Sequence, residues 1–244
     1  MATLKSNLIE PATGTDLNIG AAGDILTLSS DSIQTNLYKD SGGNTIFQSD
    51  GAGTLSNVNS GLQGSGPNLI TTQTASGVSA VEFTTGIDNT YDKYMFVFYN
   101  IGISTDTAYF RFVTSSDSGS SWNANACTNT FFEAHHYYDW STGTGLAYDT
   151  SRDSAQDTGD VLLTNHLDNG ASTGTTGILN LYGPSSTTYV KQWTCVTSSP
   201  YYLPTSQVQI FTGGYFNTTN AINGVKFTVN SGNFNGTIKM YGVS

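Results

Sequence analysis

Formal charge is scarce in this chain. Asp, Glu, Lys and Arg together make up only 11% of its 244 residues, and Arg111 and Arg152 are its two arginines. Eighteen acidic residues outweigh eight basic ones, for a net charge of −10 and a pI near 4.3. An acidic, arginine-poor surface repels phosphate backbones, which argues against nucleic acid as a partner. No apolar run approaches the ~18 residues of a transmembrane helix, so no membrane insertion is expected. The opening stretch MATLKSNLIEPATG has no signal-peptide apolar region, so assembly in a cytoplasm is expected. Cysteine is nearly absent too: there are two, Cys127 and Cys195. A pair of thiols in a chain of this length reads as buried, reduced small hydrophobes, with one bridge between them left open.

Ser, Thr, Gly and Asn take the place of the missing charges. Aromatic residues reach 12%, with 14 Tyr and 12 Phe. That mixture suits strands and turns and starves helices of Ala, Leu, Glu and Lys. It is not a disordered composition, because its aromatic and β-branched side chains can fill a core. The expected class is all-β.

Two regions differ along the chain. Residues 1–66 hold short apolar pieces, LNI (17–19), ILTL (25–28) and TIF (45–47), between Gly, Ser, Asp and Asn, with Tyr38 their single tyrosine. Domains of ~60 residues are marginal even with a good core. This segment reads as a thin, β-rich oligomerising arm that buries its few apolar side chains against copies of itself or a partner. GLQGSGPN (61–68) reads as a linker. Residues 67–244 are dense in strand patterns. TAYFRFVTS (107–115) alternates Ala108, Phe110 and Phe112 against Tyr109, Arg111 and Val113. KYMFVFYN (93–100) is apolar on both faces and should be a central strand. GVKFTV (224–229) turns Val225, Phe227 and Val229 inward and leaves Lys226 and Thr228 to solvent. IDNTYD, SSDSGSS, GPSS, TGG and NSGN read as turns between strands. The pattern predicts a C-terminal antiparallel β-sandwich, jelly-roll-like, over 67–244. Residues 139–176 break the rhythm and read as a long loop.

SSDSGSSW (115–122) fits the aspartate-box pattern of sialidase blades through Ser115, Asp117, Gly119 and Trp122. Asp117 can fold its carboxylate onto nearby amides, Gly119 supplies a position for positive φ, and Trp122 opens the next strand. One box is a structural turn: sialidase propellers carry several, and two arginines cannot form the cluster that clamps a sialate carboxylate. FFEAHHYYDW (131–140) holds Glu133 and His135 on one strand face and His136 on the other. A metal would need a third ligand, and none is near in sequence, so no metal is assigned. Asp149, Asp153, Asp157 and Asp160 lack calcium-loop spacing and read as a solvated loop. No catalytic residue and no cofactor is assigned, and an envelope-polysaccharide hydrolase ranks last among the functional readings. Tyr137, Tyr138, Trp140, Tyr201 and Tyr202 are the candidates for glycan or interface contact, since tyrosine and tryptophan stack on sugars and anchor interfaces.

The combination YDKYMFVFYNI (91–101), SSDSGSSW, LYGPSSTTYVKQW (181–193), GGYFNTTNAINGVKF (213–227) and SGNFNGTIKMYGV (231–243) resembles virion structural proteins of marine tailed bacteriophages, especially those infecting cyanobacteria. LNIGAAGDILTL (17–28) and IFQSDGAGTLSNVNSGL (46–62) resemble fibre-type proteins of the same phages. The resemblance implies a tail fibre, appendage or capsid decoration protein located on the virion. It implies a homotrimer docked to other virion proteins through residues 1–66, with a β head that contacts host surface glycan. Avidity from three heads would serve host attachment. The resemblance brings no catalytic residues with it.

Overall fold

The computed structural model describes residues 37–40, 42–56, 58–59, 66–122, 124–137, 144–201 and 206–244. The chain divides into two compact units, Met1–Leu62 and Gln63–Ser244.

In the first unit, strands β1 (Leu37–Lys39), β2 (Thr45–Ser49) and β3 (Leu55–Ser56) pair antiparallel in that order. Aspartates close both turns. Asp40 Oδ1 accepts from the amides of Gly42 (2.9 Å) and Asn44 (2.8 Å), and Asp50 Oδ1 from those of Ala52 (2.7 Å) and Thr54 (3.0 Å). The Tyr38 and Phe47 rings stack across β1 and β2, 4.8 Å apart. Among the described residues of this unit none is buried, and Leu37 and Leu55 remain 42% and 58% exposed. LNI and ILTL lie outside the described residues.

The second unit is an antiparallel sandwich of two sheets. Its strands are β4 (Asn68–Val78), β5 (Ala80–Phe83), β6 (Lys93–Ile103), β7 (Phe110–Ser115), β8 (Cys127–Tyr137), β9 (Gly145–Tyr148), β10 (Ser154–Asp157), β11 (Val161–Leu162), β12 (Thr175–Tyr182), β13 (Lys191–Pro200), β14 (Ser206–Phe216), β15 (Gly224–Val229) and β16 (Phe234–Val243). The large sheet has nine strands. It runs β10-β8-β14-β13-β12-β6-β16-β4, with β9 also on the outer edge of β8. The small sheet runs β11-β7-β15-β5. Face-to-face antiparallel sheets meet the expectation of a sandwich, here with nine strands against four. Among the described residues no helix is long and apolar enough to cross a membrane.

Alternation explains the core. Tyr94, Phe96 and Phe98 of β6 face inward, fully buried, and β6 sits centrally between β12 and β16. Its alternation skips at Asn100, whose positive φ of 55° marks a bulge that keeps Ile101 and Ile103 inward. Ala108, Phe110 and Phe112 share one buried face, in line with the sequence alternation, but Val113 of the opposite set is buried as well. Burial pushes the Tyr94 phenol up to about 12, although its oxygen accepts from the Asp88 amide at 2.9 Å. Cys127 and Cys195 are buried and free.

Four sequence expectations change. Thr228 is buried, not solvent-facing, because its hydroxyl donates to Asp160 Oδ2 at 3.0 Å. TGG is no turn: Gly213 and Gly214 lie inside β14, paired with β13 and β8. NLITTQTASGV, whose first residue Asn68 fell in the expected linker, is the edge strand β4, whose one buried residue, Ala75, leaves little apolar pattern to detect. Residues 139–176 carry three short strands: β9 and β10 cap the free edge of β8 at different heights, and β11 extends the small sheet.

Candidate functional site

Two constructions concentrate the polar chemistry of the second unit: the aspartate-box turn and a cluster centred on His166.

In the turn, the Ser115 hydroxyl donates to Asp117 Oδ1 (2.6 Å) and accepts from the Gly119 amide (2.9 Å). The Ser121 hydroxyl and amide donate to the two Asp117 oxygens at 2.6 and 2.9 Å. Ser118 and Gly119 both take positive φ, 57° and 87°. A Cβ at Gly119 would come within 2.7 Å of Thr84 and 3.1 Å of the Trp122 ring, so glycine answers both the backbone and the space. Trp122 does not open a strand; β8 begins at Cys127. Its ring is half-buried under the Lys226 ammonium, 4.6 Å from the centroid. The Ser115 hydroxyl, followed by Ser121, holds the Asp117 carboxyl down to about 2. The unfolded value is 3.8, so the turn's stabilisation is complete above that pH and fades as pH falls through about 2. A carboxyl NMR titration of the native protein is expected to place the Asp117 midpoint near 2; a midpoint at 3.8 would break this account.

The second construction starts from β8, whose inner face carries Phe131, Glu133, His135 and Tyr137 in succession. Opposite, residues 163–167 continue alongside β7 through Leu163 and Leu167, whose amides donate to Phe110 and Ala108. Asn165 Nδ2 therefore reaches Glu133 Oε2 at 2.7 Å, and Asn165 Oδ1 accepts from the His166 amide at 2.8 Å. The His166 Nε2 is hydrogen-bonded to the Tyr109 hydroxyl. Arg152 lies over the Tyr109 ring, 4.5 Å from its centroid, and pairs with Asp149 at 3.2 Å. Burial, then Arg152, lowers the His166 pKa, while Asp106, Asp149 and Glu133 pull it upward. A neutral imidazole is the result at neutral pH, able to share one proton with the phenol. Burial opposes the Asp149 carboxylate, but Ser151 and Arg152 bring its pKa below 3.8. These groups spend their hydrogen bonds on each other. The cluster binds the 145–167 segment to the sandwich more readily than it presents a reacting group. Two nitrogens are exceptions: His135 Nδ1 and Arg152 Nε are buried with no hydrogen-bond partner, the latter while ion-paired to Asp149.

The remaining sequence candidates distribute as follows. Glu133 and His135 share a face as expected, and among the described residues no group of three ligand-type side chains could hold a metal. Asp149, Asp153 and Asp160 are not simply solvated: they engage Arg152, the Tyr148 hydroxyl (2.7 Å) and Arg111 (3.1 Å). Tyr137 ends β8 with its ring edge-on to His135, 5.7 Å away. Tyr201 bridges to Leu167 and packs on Phe131, Val208 and Ile210, with His166 at 6.4 Å. Tyr138, Trp140 and Tyr202 lie outside the described residues. The sequence reading missed Tyr109, Arg152 and Asn165. Only the three-residue spacing of Asp149 and Arg152 was a local signal for any of them. The chain matches no family model, no curated protein and no solved structure.

Proposed function

We propose that the chain is a non-enzymatic structural protein of a phage particle, a trimeric fibre or decoration held through its first 66 residues. Its sandwich projects outward in this reading. The likeness of its sequence to marine phage virion proteins supports the setting. The observation that carries the assembly is the absence of any buried side chain among the described residues of the first unit. Isolated two- or three-stranded sheets need a covered apolar face to offset the ordering of their backbone. A sheet that leaves Leu37 and Leu55 open needs a neighbour, and copies of itself are the nearest one. The full chain is then expected to sediment at about three times its 25.9 kDa mass or a whole multiple of that, and labelled antibody to decorate intact particles. A chain that stays at the single-copy mass at micromolar concentration overturns the assembly, and unlabelled particles overturn the location.

A second reading, a tip that binds host surface glycan, is favoured by Tyr148. Its ring is exposed while its hydroxyl is anchored to Asp153. Tyr148→Ala should then abolish binding on a glycan array; a wild-type chain that binds no host polysaccharide removes this reading.

A further inference from the structure

The outward face of the nine-stranded sheet carries a row that no single strand reveals. Val97 lies opposite Ile178, Ile178 opposite Val196, Val196 opposite Phe211, Phe211 opposite Phe132, and Phe132 opposite Tyr148. Direct cross-strand partners point the same way, so these six side chains form one apolar band across β6, β12, β13, β14, β8 and β9. Ile178, Val196 and Phe132 are 42%, 40% and 41% exposed. The band has two halves of different shape. Its aromatic half is a ridge, with Phe132 and Phe211 stacked at 5.2 Å. Its aliphatic half borders a groove of about 430 Å³ lined by Val97, Ile178 and Val196.

Charge singles out the same face. Residues 67–244 hold twelve Asp and Glu and six Lys and Arg. None of them occupies an outward position of β8, β12, β13 or β14, and the charges that border the row are Lys93 of β6 and Lys239, opposite Val97 on β16, both at its aliphatic end. Two copies of a chain with net charge −10 repel each other across most of their surfaces, and approach is cheapest where neither has a charge.

We propose that this face is a two-fold contact between copies of this chain, the ridge of each copy seated in the groove of the other. A two-fold contact is isologous, so a patch with a ridge at one end and a groove at the other complements itself. Six strands at the usual spacing span roughly 24 Å, and strands of 10 or 11 residues run about 33 Å, for about 800 Å² per partner. Stable interfaces bury about that area on each side. Aliphatic Val97, Ile178 and Val196 suit burial by protein better than stacking on sugar rings. The contact rests on the self-assembly reading above, but uses the head and not the arm.

The row centres between β13 and β14, so Val196 of one copy lies close to Val196 of the next. The native cysteines are buried, which leaves an introduced one as the reactive thiol. Full-length Val196→Cys is expected to form covalent dimers with a short bis-maleimide. Tyr189→Cys, more open than Val196 but off the face, is expected to give few. Val196→Lys is expected to remove the head contact and halve the mass of the assembly, from two arm-held trimers joined head to head to one, without shifting the thermal midpoint of the sandwich. If Val196→Cys crosslinks no better than Tyr189→Cys while the wild-type chain is still an oligomer, the face proposal fails and self-assembly stands. A wild-type chain of single-copy mass overturns both. Binding of a neutral polysaccharide that Val196→Lys abolishes, without crosslinking, assigns the face to glycan and overturns the proposal.

Discussion

Phe227→Ala is expected to lower the unfolding free energy by about 3–5 kcal/mol, the usual cost of deleting a fully buried phenylalanine. In a domain of this size that corresponds to a fall in thermal midpoint of roughly 10 °C. Phe227 is fully buried on β15, and its ring lies 5.5–6.4 Å from those of Phe83, Phe96, Phe98, Phe110 and Phe112. Phe96 and Phe98 belong to the large sheet and the other three to the small one. The lost ring therefore leaves a cavity at the plane where the sheets meet, walled by rigid neighbours that collapse poorly. Phe227→Leu keeps most of the volume and is expected to cost well under half as much. Calorimetry of the three proteins checks this; equal midpoints for wild type and Phe227→Ala would mean that the sheets are not held through this ring.

Gly214→Ala is expected to cost about 3 kcal/mol by adding a single methyl group, the upper range for overpacking. A Cβ on Gly214 would stand 2.1 Å from the carbonyl oxygen of Thr128 and 2.7 Å from the Asn129 Cα. Both obstacles are backbone, so no side chain can swing aside. The strand must move away from β8 and loosen the pairing that runs from Ser206–Tyr137 to Phe216–Cys127. Amide exchange should then accelerate along β8 and β14 and stay slow in β15 and β7. Unchanged exchange in β8 would show that the close approach is not needed. The same substitution at Gly43 meets nothing within 4 Å, so its cost is confined to its positive φ of 84°.

These two positions separate what was legible in the sequence from what was not. Phe227 stood out at once, because strand alternation is local: Val225, Phe227 and Val229 occupy one side whatever the partner strand is. Gly214 was misleading. Glycine pairs read as turns by composition, and only the neighbouring backbone of β8 shows why a side chain is excluded there. The aspartate-box turn was legible for the same reason as Phe227, since Ser115, Asp117, Gly119 and Ser121 satisfy one another within seven residues. The His166 cluster was not, because Tyr109 and His166 are 57 residues apart and meet only after 163–167 has run back along β7.

The sequence by itself determined the all-β class, the central place of β6, the inward faces of β7 and β15, the box turn and the poverty of charge. Each follows from composition or from a period of two, which are properties of a short stretch of chain. The tertiary structure decided which strands are neighbours, where a glycine admits another backbone, and that six outward side chains from six strands form one uncharged band. Pairing between strands is set by burial and register over long separations, and no local pattern encodes which side chain will stand beside which.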